Sequence, residues 1–212
     1  MNAITLDCQG LACPGPVLRC MDCLEKQAPQ GLTVLVNDPA ALENVSRLLT
    51  GKGFSVSSLH ELGIWTIRAN RDASATAASA AAPAPAGGDA CASVVPGAQG
   101  KRSTTVFITA ETIGKGDEEL GGKLMLNFLL TLPELGDKLW RIVLVNGGVK
   151  LACEGHPCLE KLVTLAESGV SVLVCGTCLG FFGLMEKKRV GETTNMLDVV
   201  TSLDVAGKVI QV

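Results

Sequence analysis

Four consecutive residues, Cys13-Pro14-Gly15-Pro16, combine a thiol with residues that favour the start of a helix. The spacing predicts Cys13 as the N-cap, followed by two prolines at positions where a missing N–H removes no helical hydrogen bond. The amides of Gly15 and Val17 are then expected to point outward near the sulfur. Together with the positive end of the helix dipole, they would favour the thiolate. A thiolate held in this way is suited to attack a sulfane sulfur and carry it as a persulfide.

A second pair of thiols lies in Cys175-Gly176-Thr177-Cys178, after an apolar run at 170–175 that predicts a buried strand. Cys175 is expected to end that strand and Cys178 to occupy the first turn of the next helix. Gly176 permits a tight turn, and Thr177 completes the helix start that would activate both thiols. Three kinds of site remain open here: a redox pair, half of a zinc site, or thiols of a sulfur relay.

The chain has nine cysteines, and the odd count argues against a structural disulfide framework. Cys20 and Cys23 lie well inside the first predicted helix, where packing is the expected role. Two zinc sites remain as alternatives because Cys and His are ligands of Zn²⁺. One would use Cys8, Cys13, Cys20 and Cys23, and the other Cys153, His156 and Cys158 with Cys175 and Cys178.

The composition describes a globular protein with ample material for buried cores, since 47% of its 212 residues are hydrophobic and the net charge is −3. This balance disfavours nucleic acid as a partner, because no basic excess is present to neutralise phosphates. The sequence shows no signal peptide and no apolar run of the roughly 18 residues that a membrane helix needs. We therefore expect a cytoplasmic protein that does not bind membranes.

A stretch of small residues divides the chain. Residues 73–88 are drawn from Ala, Ser, Thr, Pro and Gly, which have little to bury and favour a flexible tether. The predicted organisation is a domain over 1–70, a flexible linker over 71–100, and a second domain over 101–212.

Strand and helix signals alternate on both sides of the predicted linker. The first domain is predicted as a βαβαββ two-layer sandwich, with helices at 14–27 and 39–50 and Asp38 as the N-cap of the second helix. The second domain is predicted as a doubly wound α/β domain with a parallel sheet. Its expected strands are 104–109, 142–146, 170–175 and 208–212, and its expected helices are 118–130, 157–167, 179–188 and 197–203. Functional sites should lie beyond the C-terminal ends of its strands.

A glycine-rich segment, Gly114-Lys115-Gly116-Asp117, follows the first strand of the second domain. It lacks the full fingerprint of a phosphate-binding loop. Asp117 is better explained as a helix N-cap, with acidic residues after it that would repel phosphate.

The segment Leu6-Asp7-Cys8-Gln9-Gly10-Leu11-Ala12-Cys13-Pro14-Gly15-Pro16 resembles the signature of the TusA/SirA-like sulfur-carrier family. The resemblance covers residues 1–70. It implies a βαβαββ fold in which the cysteine of the Cys-Pro-x-Pro motif carries persulfide sulfur between proteins.

Residues 101–212 resemble the DsrE/DsrF-like family of sulfur-relay domains. The resemblance rests on Gly114-Lys115-Gly116-Asp117, on the segment 145–151 (VNGGVKL), on Cys175-Gly176-Thr177-Cys178 and on 190–196 (VGETTNM). Within it, Cys175 is the better match to the cysteine of that family. The fusion of both domains is similar to the YedF-like, sulfurtransferase-like proteins associated with selenium metabolism.

The resemblance implies a persulfide relay in which Cys13 takes sulfur or selenium from a cysteine desulfurase or another donor protein. Cys175 or Cys178 would receive it, or an outside acceptor such as selenophosphate synthetase. DsrE-like relatives commonly form homo-oligomers, so the second domain is expected to oligomerise. No cofactor and no resident metal is expected. The alternative is a non-catalytic module that senses redox state or zinc through its CxxC thiols; a dithiol oxidoreductase is a third possibility.

Overall fold

The computed structural model describes residues 3–71 and 103–212, with the side chain of residue 3 excepted. The chain divides into two compact units, Met1–Val94 and Val95–Val212, and each is described by itself. The linker predicted at 71–100 lies outside the described residues from residue 72 onward. Within the described ranges, every helix is too short or too polar to cross a lipid bilayer.

Over residues 3–71, the first unit has four strands and two helices in the predicted βαβαββ order. The elements are β1 (Ala3–Asp7), α1 (Gly15–Gln27), β2 (Gly31–Val36), α2 (Pro39–Gly51), β3 (Ser55–Glu61) and β4 (Ile64–Asn70). The sheet order is β1-β2-β4-β3. β1 and β2 are parallel, while β4 is antiparallel to both of its neighbours.

Burial alternates along β2, where Leu32, Val34 and Val36 are buried and the residues between them are partly exposed. Since side chains of a strand alternate between faces, one face of this sheet is covered and the other is open. α1 and α2 supply the cover, and α2 begins where predicted because the Asp38 carboxylate accepts the Ala40 N–H at 3.0 Å. The first unit is therefore the predicted two-layer sandwich.

The second unit is built on a five-stranded parallel sheet with the order β8-β7-β6-β5-β9. Its strands are β5 (Thr104–Ile108), β6 (Leu139–Leu144), β7 (Ser171–Cys175), β8 (Glu192–Thr194) and β9 (Lys208–Gln211). Its helices are α3 (Glu118–Thr131), α4 (Leu159–Glu167), α5 (Gly176–Phe181) and α6 (Met196–Asp204), with 3-10 helices at Leu132–Lys138, Asn146–Ala152 and Met185–Lys187. The chain runs outward from β5 to β8 and then returns to the other side of β5. This is the predicted wound parallel-sheet architecture.

Two boundaries in the second unit differ from the prediction. The strand predicted at 142–146 ends at Leu144, because Asn146 has φ 48°, which an extended strand does not adopt. The helix predicted at 179–188 is α5, which starts at Gly176 and ends at Phe181. Gly183 has φ 64°, and the Leu184 N–H turns back to the Leu179 carbonyl, so the chain leaves the helix there.

Two further elements were also misjudged. α4 begins at Leu159 rather than at residue 157. The three-residue strand β8 was not predicted, because its polar residues Glu192, Thr193 and Thr194 resemble a loop. Pairing of β8 with β7 gives this segment its strand geometry.

Candidate functional site

Cys13 lies on the turn that leads into α1, one position earlier than predicted. The N-cap is Pro14 rather than Cys13, and the Cys13–Pro14 peptide bond is cis. The Leu18 N–H donates to the Pro14 carbonyl at 3.0 Å, which makes Pro14 the residue that accepts the first helical hydrogen bond. Pro16, which has no N–H, lies buried at the second helical position. The assignment of Cys13 as N-cap is therefore wrong by one residue.

The two amides expected to face the sulfur differ from each other. The Gly15 N–H donates to the Ala12 carbonyl at 2.7 Å, which closes the turn and removes this amide from the set available to Cys13. The Val17 N–H has no protein acceptor among the described residues, as is usual for an amide in the first turn of a helix. Of the two amides predicted near the sulfur, the Gly15 amide is thus bonded elsewhere.

The turn that carries Cys13 is held by side chains from three elements. At its start, the Cys8 N–H extends the β1–β2 pairing by donating to the Leu35 carbonyl at 2.9 Å. The Asp7 carboxylate accepts the Gln9 N–H at 3.0 Å, and the Asn37 side-chain oxygen accepts the Gly10 N–H at 2.9 Å. From α1, the Arg19 guanidinium donates to the Asp7 carbonyl at 2.6 Å. The thiol therefore lies on an anchored turn.

Access distinguishes Cys13 from the other thiols of the first unit. Cys13 is partly exposed, whereas Cys8, Cys20 and Cys23 are buried. Burial raises the pKa of all three buried thiols, and it raises the pKa of Cys20 to about 12, with the adjacent Cys8 and Cys23 thiols adding to the effect. The predicted packing role of Cys20 and Cys23 is confirmed. Among the cysteines at residues 3–71, Cys13 is the one that a partner can reach.

The raised pKa of Cys20 predicts a loss of stability at alkaline pH. The unfolded thiol ionises from its ordinary pKa of 9.0, whereas the folded thiol stays protonated until about 12. Between these values the unfolded state releases a proton that the folded state keeps, so stability falls as pH rises, by about 1.4 kcal/mol per pH unit at most. Urea unfolding of Cys20→Ala across this window should show a shallower decline than the parent protein. Cys178→Ala should keep the full decline, and a slope unchanged by Cys20→Ala would contradict this account.

The structure distinguishes the two thiols of the Cys175-Gly176-Thr177-Cys178 segment. Cys175 ends β7 and is the N-cap of α5, but it is only 3% exposed. Cys178, in the first turn of α5, is partly exposed. The backbone N–H of Asn146 donates to the Cys178 Sγ at 3.1 Å. Cys178 is therefore both partly exposed and in contact with a backbone amide.

Close backbone packing positions the Asn146 amide. Asn146 begins the 3-10 helix Asn146–Ala152, and the Val145 N–H just before it donates to the Ile108 carbonyl at the end of β5. A Cβ on Gly148 would lie 2.6 Å from the Ile108 carbonyl oxygen, so only glycine fits this position. The 3-10 helix can therefore lie directly on the end of β5, with its first amide facing the α5 sulfur.

A polar crevice of about 340 Å³ opens beside this amide, at the C-terminal ends of β5 and β6. Its lining includes Glu111, Glu118, Asn146 and Gly147. This is the strand edge at which the sequence predicted a site. Asn146 lies in the segment 145–151 that carries the family resemblance, but no role was predicted for it, although the Asn-Gly-Gly run after a buried strand signals a tight backbone approach at that edge.

A charged bridge lies beside the crevice. The Lys150 ammonium forms an ion pair with the Glu111 carboxylate and lies 4.9 Å from the centre of the Phe182 ring. Phe182 in turn donates its N–H to the Cys178 carbonyl at 3.1 Å. The bridge thus connects the loop after β5 with the helix that carries Cys178. Lys150 lies in the segment 145–151 that carries the family resemblance, but no role was predicted for it, and neither Glu111 nor Phe182 was singled out from the sequence.

The other two described thiols of the second unit are buried rather than exposed to a partner. Cys153 and Cys158 are buried, and burial raises the pKa of both. His156 accepts the Cys158 N–H through Nδ1, which requires an unprotonated nitrogen, and burial lowers the pKa of this imidazole. Across residues 3–71 and 103–212, no three His, Cys, Asp or Glu side chains are placed to hold a metal ion. Neither zinc alternative gains support from the geometry.

The glycine-rich segment after β5 leads into α3 as predicted. The Asp117 carboxylate accepts the Leu120 N–H at 2.8 Å, and Glu118 and Glu119 occupy the first turn. The carboxylate thus fills the helix start where a phosphate would bind.

Within residues 3–71, the first unit combines a two-layer α/β fold with a partly exposed thiol, Cys13, on an anchored turn. Residues 4–71 match the family model described as "Sulfurtransferase TusA". This part of the chain is a TusA/SirA-like sulfurtransferase domain, and the TusA family is a sulfur carrier.

Two solved structures are similar to parts of the chain. The first is a SirA-like protein from Desulfitobacterium hafniense, with 26% identity over 32% of this chain and 96% of the other, and a TM-score of 0.30. The second is the ychN protein from E. coli, with 18% identity over 52% of this chain and 99% of the other, and a TM-score of 0.41. No curated protein matches the chain significantly.

Proposed function

We propose that the chain is a sulfur or selenium relay in which Cys13 is the first carrier thiol. The observation that carries the proposal is the partly exposed Cys13 on the anchored turn before α1, within a TusA-like domain. The Cys13 thiolate attacks the outer sulfur of a donor persulfide, R–S–SH. A new S–S bond forms at Cys13, the donor S–S bond breaks, and the donor leaves as the thiolate R–S⁻. The oxidation level of the outer sulfur is unchanged, so no external oxidant is required.

The second carrier thiol in this proposal is Cys178. Its thiolate attacks the outer sulfur on Cys13, which regenerates the Cys13 thiolate and leaves a persulfide on Cys178. The Asn146 N–H at 3.1 Å from the Cys178 Sγ supports this choice, and the burial of Cys175 disfavours it as the receiving thiol. Cys175 then has a structural role at the end of β7. A tether between the domains would bring the two thiols to an effective concentration of roughly millimolar.

The identities of donor, acceptor and cargo belong to the same proposal. A cysteine desulfurase is the donor that a TusA-like domain implies, and an acceptor such as selenophosphate synthetase would place the chain in selenium metabolism. We propose that the second unit is a DsrE-like domain, which its wound parallel sheet supports. The fusion of a TusA-like domain with such a domain would make the chain a YedF-like protein. We also propose that the second unit forms the homo-oligomer contact and that the protein acts in the cytoplasm.

A redox-sensing module is the competing function. It requires a reversible disulfide, for which Cys175 and Cys178 are the candidate pair because they are three residues apart at one strand end. A module of this kind would form the Cys175–Cys178 bond without sulfur loading of Cys13.

Mass spectrometry of the protein after incubation with a cysteine desulfurase and ³⁴S-labelled cysteine tests the proposal. We expect a one-sulfur adduct on Cys13 at early times and on Cys178 later, while the buried Cys20 and Cys23 stay unmodified. An unmodified Cys13 with a fully active desulfurase would refute the carrier function. A Cys175–Cys178 disulfide in place of the adducts would favour redox sensing.

A further inference from the structure

We infer that Asn37 is a positioning residue for Cys13, acting from a strand end outside the motif that carries the thiol; its link to sulfur transfer rests on the function proposed above. Asn37 follows β2 directly, 27 residues from the glycine whose N–H it accepts. Its side-chain oxygen lies 2.9 Å from the Gly10 nitrogen. This contact connects the end of β2 to the middle of the turn that carries Cys13.

The middle of that turn has little packing to hold it. Gly10 is exposed, and a Cβ built on it would meet no atom within 4 Å. Its φ of 68° is a conformation that glycine adopts readily. The next hydrogen bond along the turn, from the Leu11 N–H to the Cys8 carbonyl, is long at 3.4 Å. Hydrogen bonds rather than side-chain packing therefore fix the path of this segment.

The side chains that hold the turn by hydrogen bonds come from different parts of the unit. Asp7 accepts the Gln9 N–H from within β1, and this contact spans two residues. Arg19 reaches the Asp7 carbonyl from α1, on the far side of Cys13. Asn37 adds the contact from β2, so the turn is fixed relative to the sheet as well as to its own flanking elements.

A role in global stability does not explain Asn37. The Asn37 side chain is exposed and is not part of the buried core of the unit. The neighbouring Asp38 supplies the N-cap of α2, so the helix does not depend on Asn37. Losing one exposed hydrogen bond changes the stability of a domain little, whereas it frees a turn that has few other restraints.

The test compares Asn37→Ala with Asn37→Asp, which keeps an oxygen at the accepting position. Hydrogen exchange should show faster exchange of the Gly10 amide in Asn37→Ala, by about fivefold for the loss of one hydrogen bond. Asn37→Asp should restore the protection. Asn70→Ala, which removes another exposed asparagine at a strand end of this unit, should leave the Gly10 amide unchanged.

The functional readout is the rate of Cys13 alkylation by iodoacetamide, divided by the rate at Cys178 in the same molecules. We expect the ratio to fall about fivefold in Asn37→Ala, to recover in Asn37→Asp and to stay constant in Asn70→Ala. A ratio unchanged in Asn37→Ala, or a fall that Asn37→Asp does not recover, would overturn the inference. Because alkylation needs no sulfur donor, this result is independent of whether Cys13 carries sulfur.

Discussion

Replacing Cys13 by alanine is expected to remove sulfur loading from the whole chain, by on the order of 100-fold or more in initial rate, as for loss of an attacking nucleophile. The reason is the order of transfer: Cys178 receives sulfur from Cys13, so both adducts should disappear together. Cys13 is only partly buried, and the small change to alanine should leave the fold intact. The measurement is ³⁴S incorporation at each cysteine after incubation with a desulfurase and labelled cysteine.

Cys178→Ala is the matched variant for this prediction. It should keep the loading of Cys13 at the parent rate and lose the later transfer into the second unit. If Cys13→Ala still loads Cys178 at the parent rate, the second unit takes sulfur directly from the donor and the proposed order is wrong. A far-ultraviolet circular dichroism spectrum matching that of the parent protein would confirm that each variant is folded.

Gly148→Ala is expected to give the second-largest effect, because it damages the Cys178 site through the backbone. The new Cβ would lie 2.6 Å from the Ile108 carbonyl oxygen and 3.1 Å from the carbonyl carbon, so the 3-10 helix must move away from β5. Overpacking of this kind costs about 2 kcal/mol of folding free energy. The shift should also withdraw the Asn146 amide from the Cys178 sulfur, and transfer into Cys178 should slow by about tenfold.

Gly122→Ala provides the control for Gly148→Ala. Gly122 lies within α3, and a Cβ at this position meets no atom within 4 Å. Alanine should therefore stabilise the helix by up to about 1 kcal/mol and leave transfer unchanged. Urea unfolding and the rate of ³⁴S transfer into Cys178 measure both effects. If Gly148→Ala matches Gly122→Ala in both assays, the close approach to β5 does not position the site.

Local patterns in the sequence were sufficient for most of the helices and strands. Asp38 and Asp117 cap their helices as expected, since capping involves residues at most three positions apart. Cys20 and Cys23 are buried because they share the inner face of α1 with Val17, a consequence of helical spacing. The choice of Cys13 needed the family signature as well, because a cysteine before a helix is not in itself a site.

The contacts that define the two thiol sites could not be predicted in the same way. Asn37 and Asn146 act on groups 27 and 32 residues away, and sequence periodicity carries no information about such pairs. The misplaced N-cap has a local cause instead: a turn closed by the Gly15 N–H and the Ala12 carbonyl precedes the helix, and α1 starts one residue later than predicted. The preference for Cys178 over Cys175 depends on which sulfur the end of β7 buries. Cys175 and Cys178 both lie within three positions of the start of α5, so sequence position does not distinguish them.

The Cys13 turn is anchored by Asp7, Arg19 and Asn37, and these hydrogen bonds do not involve Leu18 of α1. Leu18 is 47% exposed although it is apolar. Leu18 can therefore be replaced without removing any hydrogen bond that holds the Cys13 turn, so the surface of α1 at this position can change during evolution while the thiol stays in place.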